Sequence, residues 1–87
     1  MAEIPEMDSS FVAEHSMDGG DNACGELLLE IRSKLRQVTP GGVLQLITAD
    51  SGALEDLPAW CRMTGNIMLG KRAVDARRTA YFIKKGE

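Results

Sequence analysis

The order of apolar and polar residues along the first half of the chain predicts a strand, a loop and a helix. A weak alternation over Phe11–Met17 indicates the strand. The run Asp18–Asn22 is rich in glycine, aspartate and asparagine, which tolerate turn conformations, and it predicts the loop. From Cys24 onwards the apolar residues recur at helical spacing, and Thr39-Pro40-Gly41-Gly42 is a strong stop. This pattern predicts an amphipathic helix that begins near Cys24.

The second half of the chain predicts four further elements. Val43–Thr48 is short and largely apolar, as is typical of a central strand. Ala53–Thr64 has the period of an amphipathic helix and is followed by Gly65, a good helix stop. Ile67–Val74 and Arg78–Lys85 are predicted as strands, and the short link between them favours an antiparallel hairpin.

The predicted order is strand, helix, strand, helix, strand, strand. A right-handed βαβ unit makes the first two strands parallel, and the hairpin then adds antiparallel pairing. We therefore expect an α+β fold, a two-layer α/β sandwich with a mixed four-stranded sheet and both helices on one face. A chain of 87 residues has room for one domain. We expect a flexible N-terminal tail over residues 1–9 and the folded domain over residues 10–87.

Charge is divided unevenly along the chain. Residues 1–30 carry eight acids and no Lys or Arg, whereas residues 31–87 carry ten bases and five acids. The net charge of −3 disfavours nonspecific binding to nucleic acid, although the second half could present a basic face. Tyr81 and Phe82 lie among bases, as in some RNA-binding sheets, but adjacent strand residues point to opposite faces and only one could stack on a base.

The small number of cysteines and histidines limits which cellular compartment and which metal sites are possible. Cys24 and Cys61 are the two cysteines and His15 is the single histidine, too few for a four-ligand Cys/His zinc site. The start of the chain is acidic, unlike a basic leader, and no apolar stretch reaches the roughly 20 residues that a membrane helix needs. We expect a cytoplasmic protein with reduced thiols, no metal site and no membrane segment.

Cys24 is the candidate reactive residue because it lies between a glycine-rich loop and a strong helix. Backbone N–H groups in the first turn of a helix lack partners and carry partial positive charge, which lowers the pKa of a thiol there. Gly25 would leave its N–H available and would keep bulk away from the sulfur. The alternative is that Cys24 is only a small residue near the helix cap. Position alone leaves both interpretations open.

The other notable residues favour structural roles. Cys61 lies among apolar neighbours in the second predicted helix and is expected to be a buried packing residue. Trp60, the single tryptophan, is expected to lie in the core, and His15 to be a packed or edge residue. The bases of the second half are expected to form a solvated rim, from which some could support a thiolate at Cys24: Arg62, Arg77, Arg78, Lys84 and Lys85.

A series of short motifs over about residues 10–86 resembles the TusA/SirA-like sulfur carrier proteins. The similar stretches, in chain order, are Met17-Asp18 through Gly20 to Cys24, Thr39-Pro40-Gly41-Gly42-Val43-Leu44, Leu57-Pro58-Ala59-Trp60-Cys61-Arg62, Gly65-Asn66 and Tyr81-Phe82-Ile83-Lys84-Lys85. The resemblance implies the βαβαββ sandwich. It also implies that Cys24 accepts a sulfane sulfur as a persulfide and passes it to a partner protein, without metal or organic cofactor.

One part of the motif departs from the family. The family pattern is Cys-Pro-x-Pro, whereas this chain has Cys24-Gly25-Glu26-Leu27. Proline in the first helical turn presets the backbone, and Gly25 loses that advantage. The carboxylate of Glu26 would disfavour a thiolate if it pointed at Cys24. The expected function is therefore a sulfur relay between donor and acceptor proteins, and the alternative is a non-catalytic interaction or regulatory domain of the same fold.

Overall fold

A computed structural model describes residues 4–7, 11–20, 24–49 and 52–86, and the side chains at 20 and at 24–27 lie outside the description. Within these ranges the chain alternates strands and helices in the predicted order. The elements are β1 (His15–Gly20), α1 (Cys24–Leu35), β2 (Val43–Thr48), α2 (Ala53–Thr64), β3 (Ile67–Ala73) and β4 (Thr79–Lys84).

The strands form one mixed sheet in the order β1-β2-β4-β3. β1 and β2 run parallel, whereas β4 pairs antiparallel with β2 on one side and with β3 on the other. The parallel pair is joined through α1, as a βαβ crossover requires. These findings confirm the predicted α+β, two-layer architecture with a mixed four-stranded sheet.

Both helices pack on the same face of the sheet. In the register of β2 with β4, Leu44 pairs with Ile83 and Leu46 pairs with Tyr81, so these four side chains share one face. They form a single buried cluster with residues of α1 and α2. The helical members of that cluster are Ile31, Leu35, Ala53, Leu57 and Cys61. Burial of these apolar side chains holds the helix layer on the sheet.

The opposite face of the sheet is covered by residues from the N-terminal part of the chain. Phe82 is fully buried although it faces away from the helices. The ring of Phe11 meets it edge-on, with centroids 5.2 Å apart, and the guanidinium of Arg72 lies 5.0 Å from its centroid. Because both faces of β4 are covered, Tyr81, Phe82 and Ile83 are buried in succession.

The first strand lies later in the sequence than predicted. The prediction was Phe11–Met17 with a loop from Asp18, whereas β1 spans His15–Gly20. Asp18 pairs with Ile47 and Gly20 with Thr48, with an irregularity in register between Asp18 and Gly20. Turn-forming residues tolerate extended backbone when a neighbouring strand supplies the hydrogen bonds, and pairing with β2 outweighs their local preference.

The remaining boundaries differ by a few residues at most. α1 ends at Leu35, although Val38 in the following turn is still buried. The β3–β4 hairpin is slightly longer in its turn than predicted, because β3 ends at Ala73 and β4 begins at Thr79. No helix in the described ranges is long and apolar enough to cross a bilayer.

Part of the segment predicted as a tail contacts the sheet. Glu6 forms an isolated parallel bridge with Lys71 of β3. The N–H of Met7 donates to the carbonyl of Lys71, and the N–H of Lys71 donates to the carbonyl of Pro5, both at 2.8 Å. Residues 1–3 and 8–10 lie outside the described residues, so the division into a tail over 1–9 and a domain over 10–87 stays a prediction.

Candidate functional site

The candidate site begins at the edge of the sheet where the parallel strands end. β1 ends at Gly20 and α1 begins at Cys24, so the two Cα atoms lie within about 14 Å of each other. β2 ends at Thr48 at this edge, and the chain leads from it to the start of α2. Open sheets with parallel strands usually place their ligand sites at this edge. The prediction that Cys24 begins the first helix is confirmed.

The first turn of α1 supplies backbone donors in place of the missing prolines. Cys24, Gly25 and Glu26 all lie in helical backbone. The first four N–H groups of a helix have no partner within it and carry the positive end of the helix dipole. Gly25 and Leu27, unlike proline, retain their N–H groups, so this turn has two more donors than the Cys-Pro-x-Pro pattern. The side chains of Cys24, Gly25 and Glu26 lie outside the described part of the structure, and their roles stay predictions.

A network of charged side chains fixes the β3–β4 turn at the same edge. Asp75 accepts hydrogen bonds from the backbone N–H groups of Arg77 and Arg78, both at 2.8 Å. The Nε of Arg78 lies 2.9 Å from the second oxygen of Asp75, and its Nη1 lies 3.7 Å from the carboxylate of Asp18 in β1. The basic turn is thereby linked to the strand that leads towards Cys24. Of the rim bases expected from sequence, Arg77 and Arg78 lie at this edge.

The hydrogen bonds to Asp75 give a pH-dependent prediction. The N–H of Arg77, followed by the side chain and N–H of Arg78, lowers the pKa of Asp75 from 3.8 to about 2. Because this pKa is lower in the folded chain, the stabilisation is present above pH 3.8 and is lost as pH falls through about 2. In a carboxyl-detected NMR titration of the intact protein, Asp75 should titrate near 2. In the variant Arg78→Gln its pKa should rise, and an Asp75 pKa near 3.8 in the unmodified chain would contradict the network.

Cys61 lies in the core of the helix layer, away from solvent. It is a free cysteine with 1% of its surface exposed. Burial raises the pKa of its thiol from 9.0 to about 11, so at neutral pH it is protonated. The prediction that Cys61 is a packing residue is confirmed.

Trp60 and His15 differ in how closely they match their expected roles. Trp60 packs against the core cluster but stays partly exposed, so it is not a fully buried core residue. His15 lies on the edge strand β1 with its Nε2 3.4 Å from the carboxylate of Glu14. This agrees with the edge residue expected from sequence.

Two arrangements in the described residues are not visible in the sequence motifs. The carboxylate of Glu14 accepts hydrogen bonds from the hydroxyl and then the backbone N–H of Thr39, which lower its pKa. A groove between the ends of α1 and α2 brings Arg32, Arg36 and Lys85 together beside Trp60. The spacing of Arg32 and Arg36 by one helical turn is the only sequence signal of that groove.

Metal chemistry finds no support in the described ranges. No three side chains of His, Cys, Asp or Glu there come together in a way that could hold a metal ion. What the site offers is backbone donors at a helix start, with a cysteine as the first helical residue. This combination defines an α+β sandwich with a cysteine at the edge where its parallel strands end.

Comparison with known proteins gives the family. The family model described as Sulfurtransferase TusA matches residues 17–85, and the chain belongs to that family. It is 26% identical over 77 residues to the sulfur carrier protein TusA of Pseudomonas entomophila strain L48, covering 88% of this chain and 95% of the relative. It is 29% identical over 70 residues to the putative sulfur carrier protein YrkF of Bacillus subtilis strain 168. That match covers 80% of this chain but 37% of the relative, so this chain spans little more than a third of it.

Proposed function

We propose that this protein is a sulfur carrier that accepts a sulfane sulfur on Cys24 and delivers it to an acceptor protein. The observation that carries the proposal is the family match over residues 17–85, together with a cysteine at the first position of α1. Both relatives described above are named as sulfur carriers. A cytoplasmic location would suit this chemistry, because a relay thiol has to stay reduced between transfers.

The chemical step needs only the thiolate and a donor persulfide. The Cys24 thiolate attacks the terminal sulfur of the donor persulfide, and the donor sulfur–sulfur bond breaks as the new one forms. The donor leaves as a thiolate, and Cys24 carries the extra sulfur as its own persulfide. Attack by a thiolate of the acceptor repeats the exchange in the forward direction. No net oxidation or reduction occurs, so no cofactor takes part.

The backbone at the start of α1 supports a site that works without the family prolines. Replacing proline by glycine in a first turn costs roughly 1 kcal/mol in backbone entropy. Packing of α1 on the sheet offsets such a cost, since Ile31 and Leu35 are buried in the core cluster. Helical backbone begins at Cys24 with Gly25 in place. Donation from the N–H of Gly25 to the sulfur would favour the thiolate and oppose the effect of Glu26.

The test is a mass shift on one named cysteine. After incubation with inorganic polysulfide, intact-protein mass spectrometry should show an adduct of about 32 Da that a reductant removes. The adduct should persist in Cys61→Ala and be absent from Cys24→Ala. Cys61 is the matched control because it is the second cysteine of the chain and is buried.

Two outcomes would contradict the proposal. An adduct that survives in Cys24→Ala would place the sulfur elsewhere. A folded chain that takes up no sulfur would favour the alternative, a non-catalytic interaction domain of the same fold. In that case the acidic N-terminal third of the chain would be the surface to examine.

A further inference from the structure

The outer edge of β3 is occupied by a segment of the same chain. Residues 5–7 run parallel to this edge and form a bridge at Lys71, whose N–H and carbonyl both bond to that segment. This is the pattern by which an added peptide strand binds to a sheet edge. We call residues 4–7 and 11–14 together the cover segment.

The cover segment also fills a space left by a glycine. A side chain at Gly70 would overlap with the side chain of Met7 and with the carbonyl of Pro5. Gly70 pairs with Phe82, so this space opens on the face of the sheet opposite the helices. On the other side of the same edge, Ile4 packs against the core cluster of the helix layer. The cover segment therefore contacts both faces at the β3 edge.

An aromatic contact extends the cover segment over the face of the sheet opposite the helices. The ring of Phe11 meets Phe82 edge-on at 5.2 Å, and Arg72 of β3 lies against the same ring. Phe82 consequently has none of its surface exposed, whereas Val12, next to Phe11, is 86% exposed. Met7 and Phe11 thus make specific contacts, at Gly70 and Phe82, whereas Val12 is exposed to solvent.

We propose that the β3 edge and the sheet face around Phe82 form a peptide-binding site, which the cover segment occupies in cis. Its ligand is a peptide that pairs with Lys71, places an apolar side chain over Gly70 and carries an aromatic residue four positions later. A partner segment of that pattern binds by displacing the cover segment. The site lies at the β3 edge of the sheet, whereas β1 and the chain that leads to α1 lie at the other edge, so the site is separate from the start of α1.

The cover segment is suited to displacement because its described backbone pairing is short. Two hydrogen bonds join it to β3, and its last residue, Glu14, bonds to Val43 and Thr39 at its far end, whereas six residue pairs join β3 to β4. Elements with few paired backbone groups open at lower free energy than the core of a sheet. Its advantage over a free peptide is that it belongs to the same chain, which gives a high effective concentration. Weakening the contact in cis should therefore admit a competing peptide.

The experiment measures binding of a fluorescent peptide of residues 1–14 to the full chain by anisotropy. The peptide should bind the Phe11→Ala chain at least about tenfold more tightly than the unmodified chain, because the cis segment then lacks its aromatic anchor. A peptide that itself carries Phe11→Ala should lose binding. The chain variant that combines Phe11→Ala with Gly70→Val should also lose it, because the new side chain takes the place of Met7.

A second measurement on the unmodified chain tests displacement without any substitution. In hydrogen exchange under native conditions, the amides of Met7 and Lys71 should exchange at least about tenfold faster than those of Tyr81 and Ile83 in β4. Equal rates would mean that the cover segment opens only with the whole domain, and would overturn the proposal. Failure of the peptide to bind a cooperatively folded Phe11→Ala chain would overturn it as well.

Discussion

Replacing Phe82 with alanine should lower the free energy of unfolding by about 3–5 kcal/mol, a large part of the stability of a domain this small. Phe82 is fully buried on the face opposite the helices, between strand neighbours and beneath Phe11. Its removal leaves a cavity that Gly70, its partner in β3, cannot help to fill. Urea denaturation followed by far-UV circular dichroism would measure the loss, and the midpoint of thermal unfolding should fall by roughly 15–30 °C.

The matched control is a substitution on the same side of the molecule at an exposed position. Val12→Ala removes apolar surface that is 86% exposed and should change stability by less than about 0.5 kcal/mol. Phe11→Ala should fall between the two, since Phe11 is only partly buried. A double-mutant cycle of Phe11 and Phe82 should give a coupling of about 0.5–1.5 kcal/mol. A loss below about 1 kcal/mol for Phe82→Ala would contradict the packing described for this face.

Local periodicity was sufficient to predict most of the helix layer and the central strand. β2 and α2 have the predicted bounds, and α1 begins at Cys24 as expected. These elements carry clear apolar patterns, because each one buries a single face against a continuous core. The fold class followed from their order, since a strand, a helix and a strand in succession favour a right-handed parallel βαβ unit.

The first strand and the second face of the sheet could not be read from local pattern in the same way. Phe11 alternates with polar residues as a strand residue would, but it precedes β1 and packs on Phe82. Its partner is 71 positions away in the sequence, so only the assembled sheet brings the two together. One signal was present: three successive apolar residues in β4, Tyr81 to Ile83, indicate a strand covered on both faces.

In the candidate site, too, local sequence pattern predicts some features, whereas others depend on the topology of the sheet. The place of Cys24 at the start of a helix followed from helical spacing and from the loop before it. The link from Arg78 to Asp18 depends on sheet order, because β4 lies beside β2 and β2 beside β1. A sequence pattern identifies a turn rich in arginine, but the edge of the sheet at which it lies is a property of the topology.

The two cysteines should differ widely in their rates of alkylation, and Cys61 should be the slow one. In the Cys24→Ala variant Cys61 is the only thiol. Its alkylation near pH 8 should be at least about a hundredfold slower in the folded chain than in urea, because the pKa rises from 9.0 to about 11 and the thiolate is correspondingly rarer. Burial slows the reaction further, since the reagent reaches the sulfur only when the helix layer opens.

The pH dependence of stability supplies an independent check on the same thiol. Because burial raises the pKa of Cys61 in the folded chain, its protonated form stabilises the fold below pH 9.0, and this contribution is lost as pH rises through about 11. The Cys61→Ala variant should lack that part of the alkaline decline, whereas Cys24→Ala should keep it. Alkylation of Cys61 in the folded chain within about tenfold of its rate in urea would contradict its burial. A slow Cys61 would leave Cys24 as the thiol available to a partner protein.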